Sequence, residues 1–328
     1  MNWSAFWRLL AHTQLLPVLE SGEETLVGGQ AVLEGVMMRS PHAWCTCVRK
    51  PDGTVVHSES PLAKVSEKYP LFKYPVLRGI GVLGQAMWLG VKALQYSAEV
   101  AIDADQAALP QEERKEIPAW VMWLNLAVSF VLFILMYKFI PLLLTSRLEL
   151  VYPTLHGRIA FNLVDGLIRI AMLIGFMWAL SFVKDIHRTF EYHGAEHRVV
   201  FNFESGQPVT VENAQRFVTW HPRCGTSFLI VVMMVSIAVY TVLPGTGFAV
   251  KLAWRIVMLP LIAGLSYEVI RLAARRRTSL LATLTAPGLW LQRITTQPPA
   301  ADQTEVAILA LEGAMELEKQ HGGDLVIA

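Results

Sequence analysis

The sequence predicts a mainly α-helical, polytopic membrane protein with about four spans and a small β-rich domain at its N-terminus. Hydrophobic residues make up 53% of its 328 residues and charged residues only 17%, which is below the roughly 25% charge of soluble globular domains. Several apolar segments reach the roughly 20 residues needed to cross the hydrocarbon core of a bilayer. An interfacial or re-entrant helix before the spans and an amphipathic helix after them complete the predicted fold.

The charge balance and the cysteine content limit the classes of partner. The net charge of +1 provides no clustered basic face, so we do not expect nucleic-acid binding. Three cysteines are too few for a disulfide framework, which favours a reduced, cytoplasm-facing location. The expected partners are the lipid bilayer and an unknown substrate or protein near the membrane, and the chain could also form a homo-oligomer.

Residues 1–75 are predicted to form a soluble, β-rich region. Residues 43–48 and 54–58 flank a Pro-Asp-Gly turn sequence at 51–53, whose composition is typical of a hairpin. The glycine-rich segment 28–39 precedes this hairpin, and its glycines would let the backbone approach a neighbouring element closely.

Residues 76–118 are predicted to hold an interfacial helix and a charged linker. The segment 76–96 is apolar, but Arg78 and Lys92 bound an uncharged part that is too short to cross a bilayer. An interfacial or re-entrant helix therefore explains this segment better than a span does. Residues 103–116 are rich in charge and are expected to form a soluble link.

The membrane domain is predicted to occupy residues 119–286. Its four spans are expected at residues 119–144, 159–183, 227–250 and 251–270. Asp165 and Arg169 lie four residues apart in the second span, which predicts an ion pair that faces the protein interior. Arg255, near one end of the fourth span, is expected to extend towards the membrane surface.

The distribution of lysine and arginine predicts the orientation of these spans. Basic residues follow the last span and populate the loop 184–226 between the second and third spans: Arg271, Arg275, Arg276, Arg277, Lys184, Arg188, Arg198, Arg216 and Arg223. This distribution predicts a multi-pass protein of the inner (cytoplasmic) membrane, with both termini and the 184–226 loop in the cytoplasm.

The C-terminal segment 287–328 is predicted to be a soluble tail that contains one amphipathic helix. Asp302 is expected to cap this helix, which would run to about Gln320. Apolar residues recur on one face of the helix, and they are Val306, Leu309, Ala310 and Ala314. This pattern predicts that the helix packs against another domain.

The 184–226 loop contains a short motif that is typical of metal sites. His193 and His197 lie four residues apart, so both imidazoles would share one face of a helix. Glu196 lies between them, which gives the H-x-x-E-H order of one class of zinc enzymes. Two neutral imidazoles can bind a divalent ion while the carboxylate accepts a proton from water. The alternative is a polar, hydrogen-bonded end of a helix.

Three further residues could join this motif. His221 and Cys224 lie directly before the third span, and Glu268 lies near the far end of the fourth. The predicted topology brings both places to the same membrane face as the motif, and the supply of imidazole and thiol favours zinc. The alternatives are that His221 caps a loop, that Cys224 is a small buried side chain, and that Glu268 pairs with Arg271.

At these residues the sequence resembles the YqhQ-like family. The motifs that carry the resemblance are GGQAVLEGVMMR at 28–39, EYHGAEH at 191–197, HPRCGTSF at 221–228, GLSYE at 264–268 and PGLWLQ at 287–292. The resemblance extends from about residue 26 to about residue 315. It implies a bacterial multi-pass membrane protein and a metal-dependent enzyme, and it implies no particular reaction.

The leading hypothesis is a membrane-embedded, metal-dependent hydrolase that acts at the cytoplasmic face. His193 and His197 would be ligands, a third ligand would come from His221, Cys224 or Glu268, and water would occupy the fourth position. Glu196 would act as general base, and Arg223 or Arg198 would stabilise the developing negative charge. The substrate would be linked to a lipid or lie close to the membrane.

Two other functions stay open from the sequence alone. If His193, His197, His221 and Cys224 all bound one zinc, the coordination would be complete, and the protein would be an assembly or scaffold factor. A small-solute or ion transporter would instead use Asp165 and Arg169 along its path. The absence of visible inverted repeats makes a transporter the weaker of the two alternatives.

Overall fold

The structure is a computed structural model that describes residues 27–63, 65, 69–106, 119–221, 224–245, 247–275 and 279–321. The predicted catalytic residue Arg223, most of the predicted charged linker and both chain termini lie outside the described residues.

The described part of the N-terminal region contains a small antiparallel sheet, as the sequence predicts. Its strands are β1 (Gly28–Val32), β2 (Gly35–Arg39), β3 (Ala43–Arg49) and β4 (Val55–Pro61), and each pairs with the next in chain order. The predicted hairpin joins β3 to β4. Gly53 adopts φ +87° in its turn, and Asp52 Oδ1 accepts a hydrogen bond from the Thr54 amide at 2.9 Å.

Eleven α-helices follow in the residues that the structure describes. They are α1 (Leu77–Gln106), α2 (Ala119–Ile134), α3 (Ile140–Val151), α4 (Arg158–Leu180), α5 (Lys184–Glu204), α6 (Val211–Ala214), α7 (Gly225–Val242), α8 (Phe248–Val257), α9 (Leu259–Arg275), α10 (Ser279–Thr295) and α11 (Ala301–His321). A π-helical segment, Leu135–Phe139, joins α2 to α3 without a break.

Both faces of the sheet are buried, because helices cover it from two sides. Successive strand residues point to opposite faces. The face that carries Met38 and Cys45 packs against α5 and α11. The face that carries Met37 and Trp44 packs against α1. The sheet is therefore the layer that connects α1, α5 and α11.

Among the described residues, three helical segments are long and apolar enough to cross a membrane. They are Leu124–Val151, which combines α2 and α3, then α4, and then α7. Helices α8 and α9 form a fourth span only if the pair is counted together, because they meet at an angle of 52°. Pro260, the second residue of α9, has no amide hydrogen, so the α8 helix cannot continue through it.

Two predicted span boundaries differ from the structure. Helix α7 ends at Val242, before the predicted end at 250. Gly245 and Gly247 follow it with φ values of +131° and +89°, a backbone conformation that no helix adopts. The predicted fourth span at 251–270 is a bent pair that begins at Phe248.

Helix α1 is one continuous helix that extends beyond the predicted segment at 76–96. Its first turns pack closely on α9, since a Cβ at Gly79 would lie 2.7 Å from Cβ of Tyr267. Its later turns bury Leu89 and Ala93 against the sheet. The helix is long because it contacts both the sheet and the apolar helices.

The C-terminal helices are packed into the protein, whereas the sequence predicted a soluble tail. Helix α10 crosses the predicted boundary at residue 286, and its Leu291 packs against α4 and α7. Helix α11 begins at Ala301, so Asp302 lies within its first turn, and the Gln303 side chain accepts a hydrogen bond from the Ala300 amide at 2.8 Å. The predicted packing face is largely correct, except that Leu309 is 38% exposed.

The Glu318 carboxylate fastens the end of α11 to the sheet. It accepts hydrogen bonds from the Ser40 hydroxyl at 2.6 Å and from the backbone amide of His42 at 2.7 Å. A ring nitrogen of His42 lies 2.7 Å from the same carboxylate. Burial raises the pKa of Glu318, but the bonds from Ser40 and His42 outweigh burial and hold that pKa below its usual value.

Replacing Glu318 by glutamine should loosen α11. The amide keeps the shape of the carboxylate but loses its charge-assisted bonds, so we expect the free energy of unfolding to fall by about 1–3 kcal/mol near neutral pH. Thermal unfolding of the purified protein would measure the change. Glu316→Gln is the control, because the Glu316 side chain is 64% exposed on the same helix.

The effect should depend on pH in one direction. A carboxylate with a depressed pKa stabilises the fold above its unfolded pKa, and this stability is lost as the pH falls through the folded pKa. The difference between wild type and Glu318→Gln should therefore shrink in strong acid. A difference that stays constant down to about pH 2 would contradict the role of the charge.

Candidate metal centre

Helix α5 carries the predicted metal motif in its second half. The spacing of four residues brings the rings of His193 and His197 together edge-to-face, with their centroids 4.5 Å apart. Tyr192, Ala195 and Val199 of the same helix are buried against the sheet and α11. This packing fixes the rotation of α5 and turns both imidazoles towards the start of α7.

Cys224 completes a group of three ligand atoms. It caps the N-terminus of α7, where its Sγ accepts a hydrogen bond from the Thr226 amide at 3.5 Å. Its Sγ lies 3.2 Å from Nε2 of His193. One ligand atom from each of His193, His197 and Cys224 lies within 4.8 Å of the other two, a spacing that suits binding of one metal ion.

Hydrogen bonds donated to backbone carbonyls fix the tautomers of both neutral histidine rings. His193 Nδ1 lies 2.8 Å from the Thr295 carbonyl oxygen, and His197 Nδ1 contacts the carbonyl oxygen of Thr219. A carbonyl only accepts hydrogen bonds, so each Nδ1 carries the proton and each Nε2 keeps its lone pair. Metal-binding histidines in proteins are oriented by bonds of this kind. Burial also lowers the pKa of His197, which favours its neutral, ligating form.

Glu196 lies beside the three ligands. Its side chain is buried, and its Oε2 is 3.4 Å from Nε2 of His197. Strand β1 covers it so closely that a Cβ at Gly29 would lie 2.7 Å from Cγ of Glu196, and the Gly29 amide bonds to the carboxylate. Burial raises the pKa of Glu196 above its usual value, although His193, His221 and the Gly29 amide act in the opposite sense. A carboxylate tuned in this way is a more effective proton acceptor near neutral pH.

The other predicted ligands have different surroundings. His221 is buried next to the three, with its ring centroid 5.7 Å from that of His197, but its Nε2 lies 3.2 Å from the Glu204 carboxylate. Glu268 is bound instead by Arg78, whose Nε donates to it at 2.7 Å, and by the Val76 amide at 3.2 Å. The structure therefore groups His193, His197 and Cys224, and it uses Glu268 to join α1 to α9.

The structure also gives the contacts around two basic residues, Arg198 and Arg271. The Arg198 guanidinium donates to the side-chain oxygen of Gln215. Burial lowers its pKa. Arg271 is not the hydrogen-bond partner of Glu268, since Arg78 of α1 takes that place.

Gln292 binds the chain on either side of Cys224. The sequence did not predict this role. Gln292 Oε1 accepts from the His221 amide at 2.6 Å, while its Nε2 donates to the His221 carbonyl at 2.8 Å and to the Ser227 hydroxyl at 2.9 Å. The side chain is fully buried. The only sequence signal was that Gln292 ends one of the motifs that carry the family resemblance.

Gly194 lets the segment that joins α10 to α11 lie directly against α5. A Cβ at this position would overlap the carbonyl oxygen of Gln297, in the segment that joins α10 to α11. The Gln297 amide in turn donates to the Phe190 carbonyl of α5 at 2.9 Å. The glycine inside the His-Gly-Ala-Glu-His motif thus lets this segment lie directly on α5 and supply the Thr295 carbonyl to His193.

Comparison with known proteins gives the family. The family model described as "Protein of unknown function (DUF1385)" matches residues 74–317, a range that contains all three grouped ligands and Glu196. The chain belongs to this family. It is also 35% identical over 294 residues to the uncharacterised protein YqhQ of Bacillus subtilis (strain 168), which covers 89% of this chain and 92% of that one. No solved structure matches the chain. The YqhQ-like resemblance that the motifs predicted is therefore confirmed.

Substituting alanine for Gly194 should destabilise the protein. The new methyl group would overlap a backbone oxygen that cannot rotate away, so we expect a loss of about 1–3 kcal/mol in the free energy of unfolding. Gly175→Ala in α4 is the matched control, because a Cβ there meets nothing within 4 Å. Both changes place a better helix former in a helix, so only the packing differs. Equal thermal stability of the two variants would contradict the close approach.

Proposed function

We propose that this protein is a membrane-embedded, metal-dependent hydrolase whose metal centre is formed by His193, His197 and Cys224. One observation carries the proposal: three ligand atoms converge while the buried Glu196 carboxylate lies 3.4 Å from one of them. Three protein ligands leave one coordination position for water or substrate, which is the arrangement of catalytic zinc sites. A carboxylate beside that position can accept a proton from the attacking water.

The donor set fits zinc. Two imidazole nitrogens and one sulfur are ligands that zinc accepts readily, whereas magnesium and calcium prefer oxygen. When bound, the ion would act as a Lewis acid that polarises a carbonyl or phosphoryl oxygen and makes water acidic enough to react near neutral pH. The Thr219 and Thr295 carbonyls hold the two imidazoles in position for it.

Glu196 would carry out the proton transfers. Its carboxylate would take a proton from water as the water attacks, and it would then deliver that proton to the leaving group. Its burial and raised pKa support this role. Arg223 lies outside the described residues, so its part in stabilising negative charge stays a prediction from the sequence.

The location of the centre supports a substrate at the membrane surface. The motif helix α5 follows the end of α4, and Cys224 begins α7, so the centre lies at one end of two apolar helices. If these helices cross the inner membrane with the predicted orientation, this end faces the cytoplasm. We infer that the substrate is attached to a lipid or lies next to the bilayer.

A structural zinc site is the second candidate, and the position of His221 favours it. The His221 ring is buried and lies close enough to His197 for a small movement to add a fourth ligand. A closed site would join the 184–226 segment to the helices and would leave no position for substrate. The contact of His221 with Glu204 at 3.2 Å supports the open arrangement instead.

Metal analysis of variants would separate the two candidates. Elemental analysis of the purified wild type should give about one zinc per chain. His193→Ala and His197→Ala should lose it, whereas His187→Ala on the same helix should keep it, because His187 bonds the Ser181 carbonyl outside the group. His221→Ala should also keep its zinc if the site is open. Loss of zinc from His221→Ala would support the structural site, and no zinc in the wild type would refute both candidates.

Glu196→Gln should separate metal binding from catalysis. The variant should retain zinc, since Glu196 is not one of the three ligands, and it should lose hydrolysis of fluorogenic acyl esters by about 100-fold or more. The control is Glu191→Gln, an equal loss of charge on the same helix, where the carboxylate bonds Gln303 at 2.8 Å. Full activity of Glu196→Gln with bound zinc would exclude Glu196 as the general base.

A further inference from the structure

A second polar group lies among the apolar helices, away from the metal centre. It contains Lys138, Asp165, Arg169 and Arg255, whose exposed fractions are 5%, 0%, 2% and 2%. The predicted ion pair between Asp165 and Arg169 is present, with Oδ2 and Nη2 3.1 Å apart. The prediction for Arg255 is wrong, because its Nη2 lies 3.2 Å from the same Asp165 oxygen instead of extending to the surface.

This group carries more positive charge than its carboxylate balances. Among the residues that the structure describes, Asp165 is the one acidic residue that pairs with Arg169 and Arg255, and no acidic residue pairs with Lys138. Lys251, a neighbouring cation, already has its own carboxylate in Glu149 at 3.3 Å. An excess of positive charge in an apolar interior is costly unless an anion neutralises it.

The three cations lie around one aromatic ring. They surround the ring of Tyr240, with their charged atoms 5.0 Å (Arg255), 5.3 Å (Arg169) and 5.8 Å (Lys138) from its centroid. Lys138 Nζ also donates to the Tyr240 hydroxyl at 3.4 Å. Lys138 belongs to the π-helical segment, and such segments occur frequently at functional sites.

Some of the polar atoms in this group lack hydrogen-bond partners within the described chain. Arg255 Nε is a buried donor without an acceptor, and Asp165 Oδ1 is a buried acceptor without a donor. Other atoms of the two arginines have partners: Arg169 Nη2 pairs with Asp165 Oδ2 at 3.1 Å, Arg169 Nη1 donates to Ser236 at 2.6 Å, and Arg255 Nη2 donates to Asn162 at 3.2 Å. A ligand for this place needs oxygen acceptors for the cations and one hydroxyl group for Asp165.

We propose that Lys138, Arg169 and Arg255, together with Asp165, bind a phosphate group that retains a proton. Its oxygens would accept from both guanidinium groups and from the Lys138 ammonium, which are the side chains that recognise phosphate best. Its P–OH would donate to Asp165 Oδ1. Free phosphate and a lipid phosphomonoester both offer this chemistry, whereas sulfate at neutral pH has no proton to donate.

The phosphate site is distinct from the metal centre. Ser236 and Cys224 are twelve positions apart along α7, which corresponds to about 18 Å of helix. Tyr240 is two residues before the end of α7 at Val242. If the helices cross a membrane as proposed above, phosphate would enter from the face opposite the metal centre. Phosphate binding at this place would not require the metal centre to be a hydrolase.

Binding can be measured on the full-length protein in detergent. Sodium phosphate, at constant ionic strength against sodium chloride, should raise the midpoint of thermal unfolding in a saturable way, and sodium sulfate should raise it much less. Lys138→Met should weaken the phosphate response by about tenfold or more. Lys251→Gln is the matched control, because it removes a cation that already has a carboxylate partner. Asp165→Asn should let sulfate act as strongly as phosphate.

Each result decides for or against the proposal. A response to phosphatidic acid in nanodiscs, but not to phosphate or to phosphatidylcholine, would support a lipid phosphomonoester as the ligand. No response to phosphate or phosphatidic acid would overturn the proposal, as would an unchanged response in Lys138→Met. If Lys138→Met does not fold, Arg255→Gln gives the same comparison, and a response equal to the wild type would again overturn the site.

Discussion

The packing of α5 between the sheet and the α10–α11 segment is the constraint on which the rest of the structure depends. Its apolar residues, such as Tyr192 and Val199, are buried against the sheet and α11. Its polar motif then has only one direction left, towards the start of α7. Two glycines make the arrangement sterically feasible, since Gly29 admits the Glu196 side chain and Gly194 admits the Gln297 carbonyl. The candidate ligands are thus oriented by contacts with backbone atoms.

The sequence predicted those parts of the fold that depend on local pattern. Composition predicted the apolar helices, the turn at residues 51–53 predicted its hairpin, and the spacing of His193 and His197 predicted a shared helical face. It did not predict contacts that depend on how one helix is rotated against another. Glu268 was expected near the metal motif because it ends a helix at the same side, yet the rotation of α9 turns it to Arg78. Arg255 was expected to reach the surface, but the break between α8 and α9 points it inward to Asp165.

Helix α7 connects two polar groups of opposite character. Its first residues supply Cys224 and Ser227 to the metal centre and its supporting loop, while Ser236 and Tyr240 near its other end contact the buried cations. The turns between them are apolar, with Ile230 and Val231 buried in the helix packing. The two groups are therefore separated by a stretch of helix in which an unpaired polar group would be costly.

The charge at each end of α7 supports both proposed binding sites. A cysteine binds zinc as the thiolate, so Cys224 and Glu196 together would present two negative charges to a divalent ion, and the buried centre would then be neutral. The opposite end has two arginines and Lys138 around one carboxylate, an excess of positive charge that a phosphate group would offset in the same way. A network formed only for stability would gain more from apolar residues of similar size than from unequal buried charges. The buried excess of positive charge at one end of α7, and the negative charge that the other end would present to zinc, are the reasons for proposing a ligand at each end.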